Sequence, residues 1–166
     1  MKKLFYSLLL FLFTSLSLFS QQIVNITDAD LGNGTYNWTK DKTYLLDGLV
    51  FLEEGGVLNI EPGTVVKFTP RADVGNPSAL VITRGARINA DGRADAPIIF
   101  TAEDDDVNDN NDLGPEDNAL WGGIVLLGKG VTQKNGNSEV SVEGIPTTEP
   151  RGLYGGADNT DNSGTL

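Results

Sequence analysis

The 166-residue sequence contains no cysteine and no histidine, and these two absences limit the chemistry that the protein can perform. Disulfides, thiol nucleophiles and the usual ligand sets of zinc sites are excluded. Histidine-based triads and histidine general bases are excluded as well. Positive charge is also scarce, because 12 basic residues stand against 23 acidic ones and give a formal net charge of −11. Nucleic acids and anionic membrane surfaces bind basic patches, so neither is expected as a partner.

The first twenty residues differ in character from the rest of the chain. Met1-Lys2-Lys3 is a short basic segment, and the mostly apolar residues 4–19 are followed by the small residue Ser20. This order is typical of a secretory signal peptide, and the apolar stretch is short for a membrane span of about 20 residues. We therefore expect a signal peptide over residues 1–20, cleaved after Ser20 or Gln21. The mature chain is expected to have no membrane span and to be secreted or held at the outer cell surface.

Beyond a polar leader over residues 21–42, short β-type runs alternate with turns that contain glycine. No window carries the 3.6-residue apolar period of an amphipathic helix. Pro62-Gly63 suits the centre of a type II turn, and Gly85 and Gly92 are expected to supply similar corners with positive φ. The pattern predicts an all-β fold with many tight corners.

A weak internal repeat relates residues 49–68 to residues 80–100. It matches Ile60 with Ile88 and Phe68 with Phe100 at a period of about 30 residues, which favours a solenoid whose coils stack on one another. In a parallel β-helix the apolar side chains of each coil point inward. We therefore expect most of the following residues to be buried: Val57, Ile60, Val65, Phe68, Leu80, Ile82, Ile88, Ile98 and Phe100.

Three segments in a fixed order carry a resemblance to a known family. They are VLNIEPGTVVKF at 57–68, ALVITRGARINADGRADAPIIFTA at 79–102 and LWGGIVLLGKG at 120–130. Together they resemble exported bacterial proteins that fold as a right-handed parallel β-helix with a pectate-lyase-like superhelix. The resemblance implies β-helix coils over residues 43–166. In the family a stretch like the SGTL at 163–166 leads into a further coil, so this chain is expected to be the N-terminal part of a longer protein.

Residues 103–118 form an acidic insert between two coils, and this insert is a candidate metal site. Asp104, Asp106, Asn108 and Asp109 have the spacing of the first ligands of a calcium loop. Hard cations favour such carboxylate and amide oxygens, although the glycine expected at the sixth position of the loop is missing. Two interpretations stay open: a solvated acidic insert, and a weak Ca²⁺ site with these four residues as ligands. No other cofactor is expected.

Candidate contacts with a sugar ligand are few. Trp121 precedes two glycines and could stack on a sugar ring, or it could pack against its own coil. Lys67, Arg84 and Arg87 lie in or beside strands. Polysaccharide lyases of this fold use a basic residue as the proton acceptor, but nothing near these three residues indicates that role. They are expected to be solubilising charges that face the solvent.

The sequence leaves three interpretations of function open. The first is a non-catalytic β-helix protein of the cell surface or the secreted fraction that serves adhesion or carbohydrate contact, with polysaccharide or cell-surface components as partners. The second is a polysaccharide lyase or glycoside hydrolase, since two carboxylates across a groove suffice for hydrolysis. The third is an inert fragment of a larger secreted protein. No catalytic residue is assigned. Asn59 and Asn89 are expected to have a structural role inside the helix stack, as members of a side-chain ladder between coils.

Overall fold

A computed structural model describes residues 21–72, 77–132 and 139–166 of the chain. The predicted signal peptide lies outside these residues. The strands are β1 Gln22–Ile26, β2 Thr35–Trp38, β3 Lys42–Leu46, β4 Leu49–Leu52, β5 Val57–Ile60, β6 Val65–Phe68, β7 Ala79–Ile82, β8 Arg87–Asn89, β9 Ile99–Ala102, β10 Ile124–Leu126, β11 Val140–Ser141, β12 Leu153–Tyr154 and β13 Gly164–Thr165. Single 3-10 turns occupy Asp28–Asp30 and Pro150–Gly152. The described part of the chain contains no helix long and apolar enough to cross a membrane.

All strands except β11 and β12 form three parallel sheets that the chain visits in rotation, whereas β11 and β12 pair with each other in antiparallel orientation. Sheet 1 has the order β1-β3-β6-β9, sheet 2 has β4-β7-β10, and sheet 3 has β2-β5-β8-β13. Because β3, β4 and β5 belong to three different sheets and β6, β7 and β8 repeat the order, each group of three strands is one coil. The architecture is a parallel β-helix, which confirms the expected fold class. Residues 22–38, from the leader segment, provide the first strands of sheets 1 and 3.

The core lies inside the coils. Leu46, Leu52 and Leu58 come from the three sheets of one coil and are fully buried. Nine residues were expected to be buried, and six of them are buried in the structure: Ile60, Val65, Phe68, Leu80, Ile82 and Ile88. The other three, Val57, Ile98 and Phe100, are only partly buried. Ile98 and Phe100 belong to the last coil of the described chain, and they line a groove at its open end.

The strand register differs from the repeat that the sequence indicated. Phe100 pairs with Val66 rather than with Phe68. Likewise, Ile88 pairs with Leu58 rather than with Ile60. Both matches were therefore wrong by two residues. Side chains alternate between the faces of a strand with a period of two, so this shift leaves the inward set unchanged.

The glycine corners are confirmed in two of three places. Gly63 has φ of 88° and Gly85 has φ of 78°, values that other residues rarely adopt. Gly92 does not have a positive φ, so that expectation was wrong. A side chain would be crowded there for another reason, since a Cβ atom on Gly92 would lie 3.0 Å from the amide nitrogen of Ile98.

The predicted asparagine ladder is present, but its expected place inside the stack was wrong, because Asn59 alternates with the buried residues Leu58 and Ile60 and lies on the outer side of sheet 3. The side-chain amide of Asn89 donates to Asn59 at 2.8 Å, and that of Asn59 donates to Asn37 at 2.9 Å. The three residues are direct partners in the register of β2, β5 and β8. Arg87 ends the ladder by donating its Nε to the Oδ1 atom of Asn89. The ladder therefore links three coils through polar side chains.

After β10 the chain leaves the coil before β13 resumes it, and we call residues 127–163 the excursion. Its described part covers the outer face of sheet 2, where Phe51 and Val81 form a second buried cluster with Leu127 and Ile145 of the excursion. Sheet 2 is thus packed on both faces. This explains why β4 and β7 are continuous apolar runs rather than alternating ones.

Candidate functional site

A polar cleft with a volume of about 800 Å³ lies where the excursion meets the corner between sheets 2 and 3, and we call it the corner cleft. Its walls come from successive coils, because the corners after β4, β7 and β10 stack on one another. The excursion forms the opposite wall. The charged residues that line the cleft are Glu53, Glu54, Arg84, Lys129, Glu139, Arg151 and Asp158.

Two ion pairs cross the corner cleft. Arg84 donates through Nη1 to Glu139 at 2.7 Å and to the carbonyl oxygen of Gly155 at 2.9 Å. Lys129 pairs with Glu54, and their hydrogen bond lowers the pKa of Glu54 and raises the pKa of Lys129. The side chain of Arg84 is only 24 % exposed. The expectation that Arg84 is a solvent-facing charge was therefore wrong, because the excursion covers it.

Arg151 fastens the excursion to the first two coils. Its guanidinium donates to Asp28 at 2.9 Å and to Glu149 at 2.8 Å, and it lies 3.4 Å from Glu53. The same group sits over the ring of Phe51, with its Cζ atom 4.1 Å from the ring centroid. The hydrogen bond from Arg151 holds the pKa of Glu149 below its usual value. A single side chain thus carries both polar and cation–π contacts between the excursion and the coils.

The other two basic residues singled out in the sequence have structural contacts outside the corner cleft. Lys67 donates to the carbonyl oxygens of Glu103 at 2.9 Å and Asp105 at 2.6 Å, so it anchors the start of the acidic insert. Arg87 donates to Asn89, as described for the ladder. Neither lies among the residues that line the cleft.

In the acidic insert, carboxylates accept hydrogen bonds from nearby amides. Asp106 accepts from the backbone nitrogen of Asn108 at 3.0 Å, which lowers its pKa, and Asp109 accepts from that of Asn111 at the same distance. Asp104 is exposed. Among the residues that the structure describes, no group of three or more acidic side chains is arranged to hold a metal ion. The calcium site with these aspartates and Asn108 stays a prediction.

Trp121 packs on the core. Its ring stacks on Phe68 with the centroids 4.3 Å apart and the planes 17° from parallel, and the residue is partly buried. One face of the indole is therefore occupied by Phe68 of the neighbouring coil. Trp121 does not line the corner cleft. Its contact with a sugar ligand stays a prediction.

The corner cleft has no direct signal in the sequence, because its ion pairs join distant positions. Arg84 and Glu139 are 55 residues apart, and Lys129 and Glu54 are 75 apart. One local signal was available. The unbroken apolar runs of β4 and β7 indicate that sheet 2 is covered on both faces, and a covering segment creates a boundary where a cleft can form.

One comparison with known proteins bears on this architecture. A family model described as a pectate-lyase like beta helix domain matches residues 31–166. No curated protein and no solved structure matches the chain. The family match covers most of the chain and agrees with its three parallel sheets. The chain therefore belongs to the family of pectate-lyase-like β-helix domains.

Proposed function

We propose that this domain binds carbohydrate at the corner cleft without cleaving it, and that it does so as part of an exported protein. The observation that carries the proposal is the cleft itself, an 800 Å³ polar groove whose walls combine acidic and basic side chains. The volume falls in the range typical of small-ligand sites. Sugar hydroxyls both donate and accept hydrogen bonds, so a mixed set of carboxylates and cations suits them better than a patch of one sign.

Side chains from stacked coils give the cleft an extended shape. Glu54, Arg84 and Lys129 follow β4, β7 and β10, which are neighbours in sheet 2. Neighbouring strands of a sheet lie about 4.8 Å apart, a spacing close to the length of one sugar unit. Repeat proteins commonly bind long ligands along such stacked positions. A chain of sugars lying across the coils would therefore meet Arg84 and the ion pair between Glu54 and Lys129.

Catalysis is the weaker alternative. A guanidinium stays protonated in proteins, so Arg84 in its pair with Glu139 acts as a hydrogen-bond donor and not as a base. Lys129 is held in its charged form by Glu54, which raises the pKa of Lys129. A hydrolase would instead need one carboxylic acid with a raised pKa. Among the described lining residues the shifts on carboxylates are downward, as for Glu54.

The test is affinity electrophoresis of the secreted protein through gels that contain one soluble polysaccharide each. We expect at least one polymer to retard the wild-type protein, and the variants Arg84→Gln and Glu54→Ala to lose most of that retardation. Glu54 is well suited because its side chain is 71 % exposed and its carboxylate pairs with Lys129. The matched control is Lys40→Ala, which breaks the exposed ion pair with Glu61 outside the cleft.

Two results would overturn the proposal. The first is that no polymer retards the protein, or that the cleft variants migrate as the wild type does. The second is the release of reducing ends or unsaturated uronates from a retarding polymer, which would establish the lyase or hydrolase alternative. Mass spectrometry of the secreted protein tests export separately, and the expected mature N-terminus is Gln21 or Gln22.

A further inference from the structure

All three basic side chains that line the corner cleft in the described chain are already bound to carboxylates. Arg84 is paired with Glu139, and Lys129 is paired with Glu54. Arg151 has Asp28, Glu149 and Glu53 as partners. Each lining cation is therefore already neutralised by a carboxylate of the protein, and an acidic group of a ligand would have to share that cation with the carboxylate or displace it.

The balance of charge in the cleft is also unfavourable for an anion. Four acidic residues and three basic ones line it, and Asp28 and Glu149 stand directly behind Arg151. The whole chain has a formal net charge of −11. A polymer with a carboxylate on every unit would bring like charges together within a Debye length of about 8 Å, a distance at which salt screens them only in part.

We infer that the ligand of the corner cleft is an uncharged glycan and that polyuronates are excluded from it. The inference rests on the proposed function, since it names the class of carbohydrate that the cleft binds. Hydroxyl groups can accept from the free N–H positions of Arg84 and donate to the remaining lone pairs of Glu54 and Glu139 without breaking either ion pair. A uronate would have to compete with those carboxylates for the same guanidinium and ammonium groups.

Two of the ion pairs persist under mildly acidic conditions. The hydrogen bonds from Lys129 and Arg151 hold the pKa values of Glu54 and Glu149 below the usual value for glutamate. These carboxylates consequently stay charged as the pH falls toward mildly acidic values. The chain has no histidine to change the balance near neutral pH. Acidification to about pH 5 therefore does not free Lys129 from Glu54, or Arg151 from Glu149, for an anionic ligand.

The experiment compares polymers that differ in charge. Polygalacturonate and its highly methyl-esterified form share a backbone, and a panel of neutral polymers (arabinan, galactan and β-glucan) extends the comparison. Each is tested by affinity electrophoresis at low salt, once with calcium and once with a chelator, because calcium can bridge carboxylates. We expect retardation by one or more uncharged polymers, and binding to polygalacturonate that is weaker by about tenfold or more in both conditions.

A double variant tests the reason for the exclusion. Glu54→Gln with Glu139→Gln leaves Lys129 and Arg84 without their carboxylate partners, and should let polygalacturonate bind about tenfold more tightly at low salt, a gain that added salt removes. The control is Glu61→Gln with Asp95→Asn, which removes two equally charged partners of exposed ion pairs elsewhere. The control has the same net charge as the cleft variant, but its ion pairs in the cleft are intact. It should therefore bind polygalacturonate no more tightly than the wild type does.

The outcomes separate the inference from the proposal beneath it. Binding to polygalacturonate that equals or exceeds binding to every neutral polymer, with or without calcium, overturns the inference and leaves carbohydrate binding in place. An equal gain in the cleft variant and the control also overturns it, because net charge would then be the cause. Binding to no polymer at all overturns the proposed function, and the inference falls with it.

Discussion

Replacing Phe68 by alanine removes the largest fully buried side chain of the coil interior. The change takes away the contact with Trp121, whose ring lies 4.3 Å from that of Phe68, and leaves a cavity between neighbouring coils. Truncation of a buried phenylalanine to alanine costs about 3–5 kcal/mol, and a stacked aromatic pair contributes about 0.5–1.5 kcal/mol beyond its buried area. We expect the free energy of unfolding to fall by about 4 kcal/mol or more.

Phe100 gives the matched comparison, because it is a phenylalanine in the neighbouring strand of the same sheet. It is only partly buried at the open end of the stack. Phe100→Ala should therefore cost clearly less, about 1–3 kcal/mol. Urea titration followed by circular dichroism measures both variants, and the fluorescence of Trp121 reports the loss of stacking by Phe68. If Phe68→Ala lowers the free energy of unfolding by less than about 1 kcal/mol, Phe68 does not fill the coil interior. If Phe100→Ala lowers it as much as Phe68→Ala does, Phe100 is not at the open end of the stack.

Three further predictions concern the ladder, the excursion and the acidic insert. Asn59→Ala removes two ladder hydrogen bonds and should lower the free energy of unfolding by about 1–2 kcal/mol in urea titration, whereas no change would show that the ladder does not stabilise the stack. Arg151→Met should speed proteolysis of the excursion more than it lowers the melting temperature of the coils. Because Arg151 lowers the pKa of Glu149, its stabilising contribution is complete at neutral pH and is lost as the pH falls below the usual glutamate value of 4.5. Wild-type proteolysis by an acid protease should rise in that range, and equal cleavage of wild type and variant at neutral pH would contradict the account. If the calcium site predicted from the sequence exists, calcium at about 1 mM should raise the melting temperature more than magnesium does, and Asp104→Asn with Asp106→Asn should abolish the difference. An unchanged melting temperature would leave the solvated insert as the correct interpretation.

The coil strands were predictable from the sequence because each one is a short apolar run bounded by a corner with strong local preferences. Leu49–Leu52 and Val57–Ile60 are two such runs and form β4 and β5, and Gly63 and Gly85 have the expected positive φ. These signals are local, so they need no knowledge of what packs against the strand. The inward side chains could be predicted for the same reason, since alternation within a strand determines which face a residue shares.

The register was harder to predict because it depends on contacts between coils. Matching Phe68 with Phe100 by residue type placed the repeat two residues away from the observed pairing with Ala102. Both registers put an aromatic ring inside the stack, so the sequence pattern could not distinguish them. The register also depends on the lengths of the loops between coils, and those loops have no repeating sequence pattern.

The corner cleft could not be predicted because it depends on where the excursion folds. Glu139 and Arg151 acquire their roles only when the excursion packs on Phe51 and Val81 of sheet 2. An acidic, glycine-rich segment has no period that indicates a docking site. Arg84 was consequently expected to face solvent, as an arginine beside a strand normally does, until the segment that covers it is in place.

The binding of an uncharged glycan at the corner cleft is tested most directly by a crystal structure of the protein soaked with an oligosaccharide of the neutral polymer that retards it most. We expect density for the sugar along Glu54, Arg84 and Lys129, with the ion pair between Arg84 and Glu139 still intact. Density that lies instead on the exposed face of Trp121, or that separates Arg84 from Glu139, would contradict it.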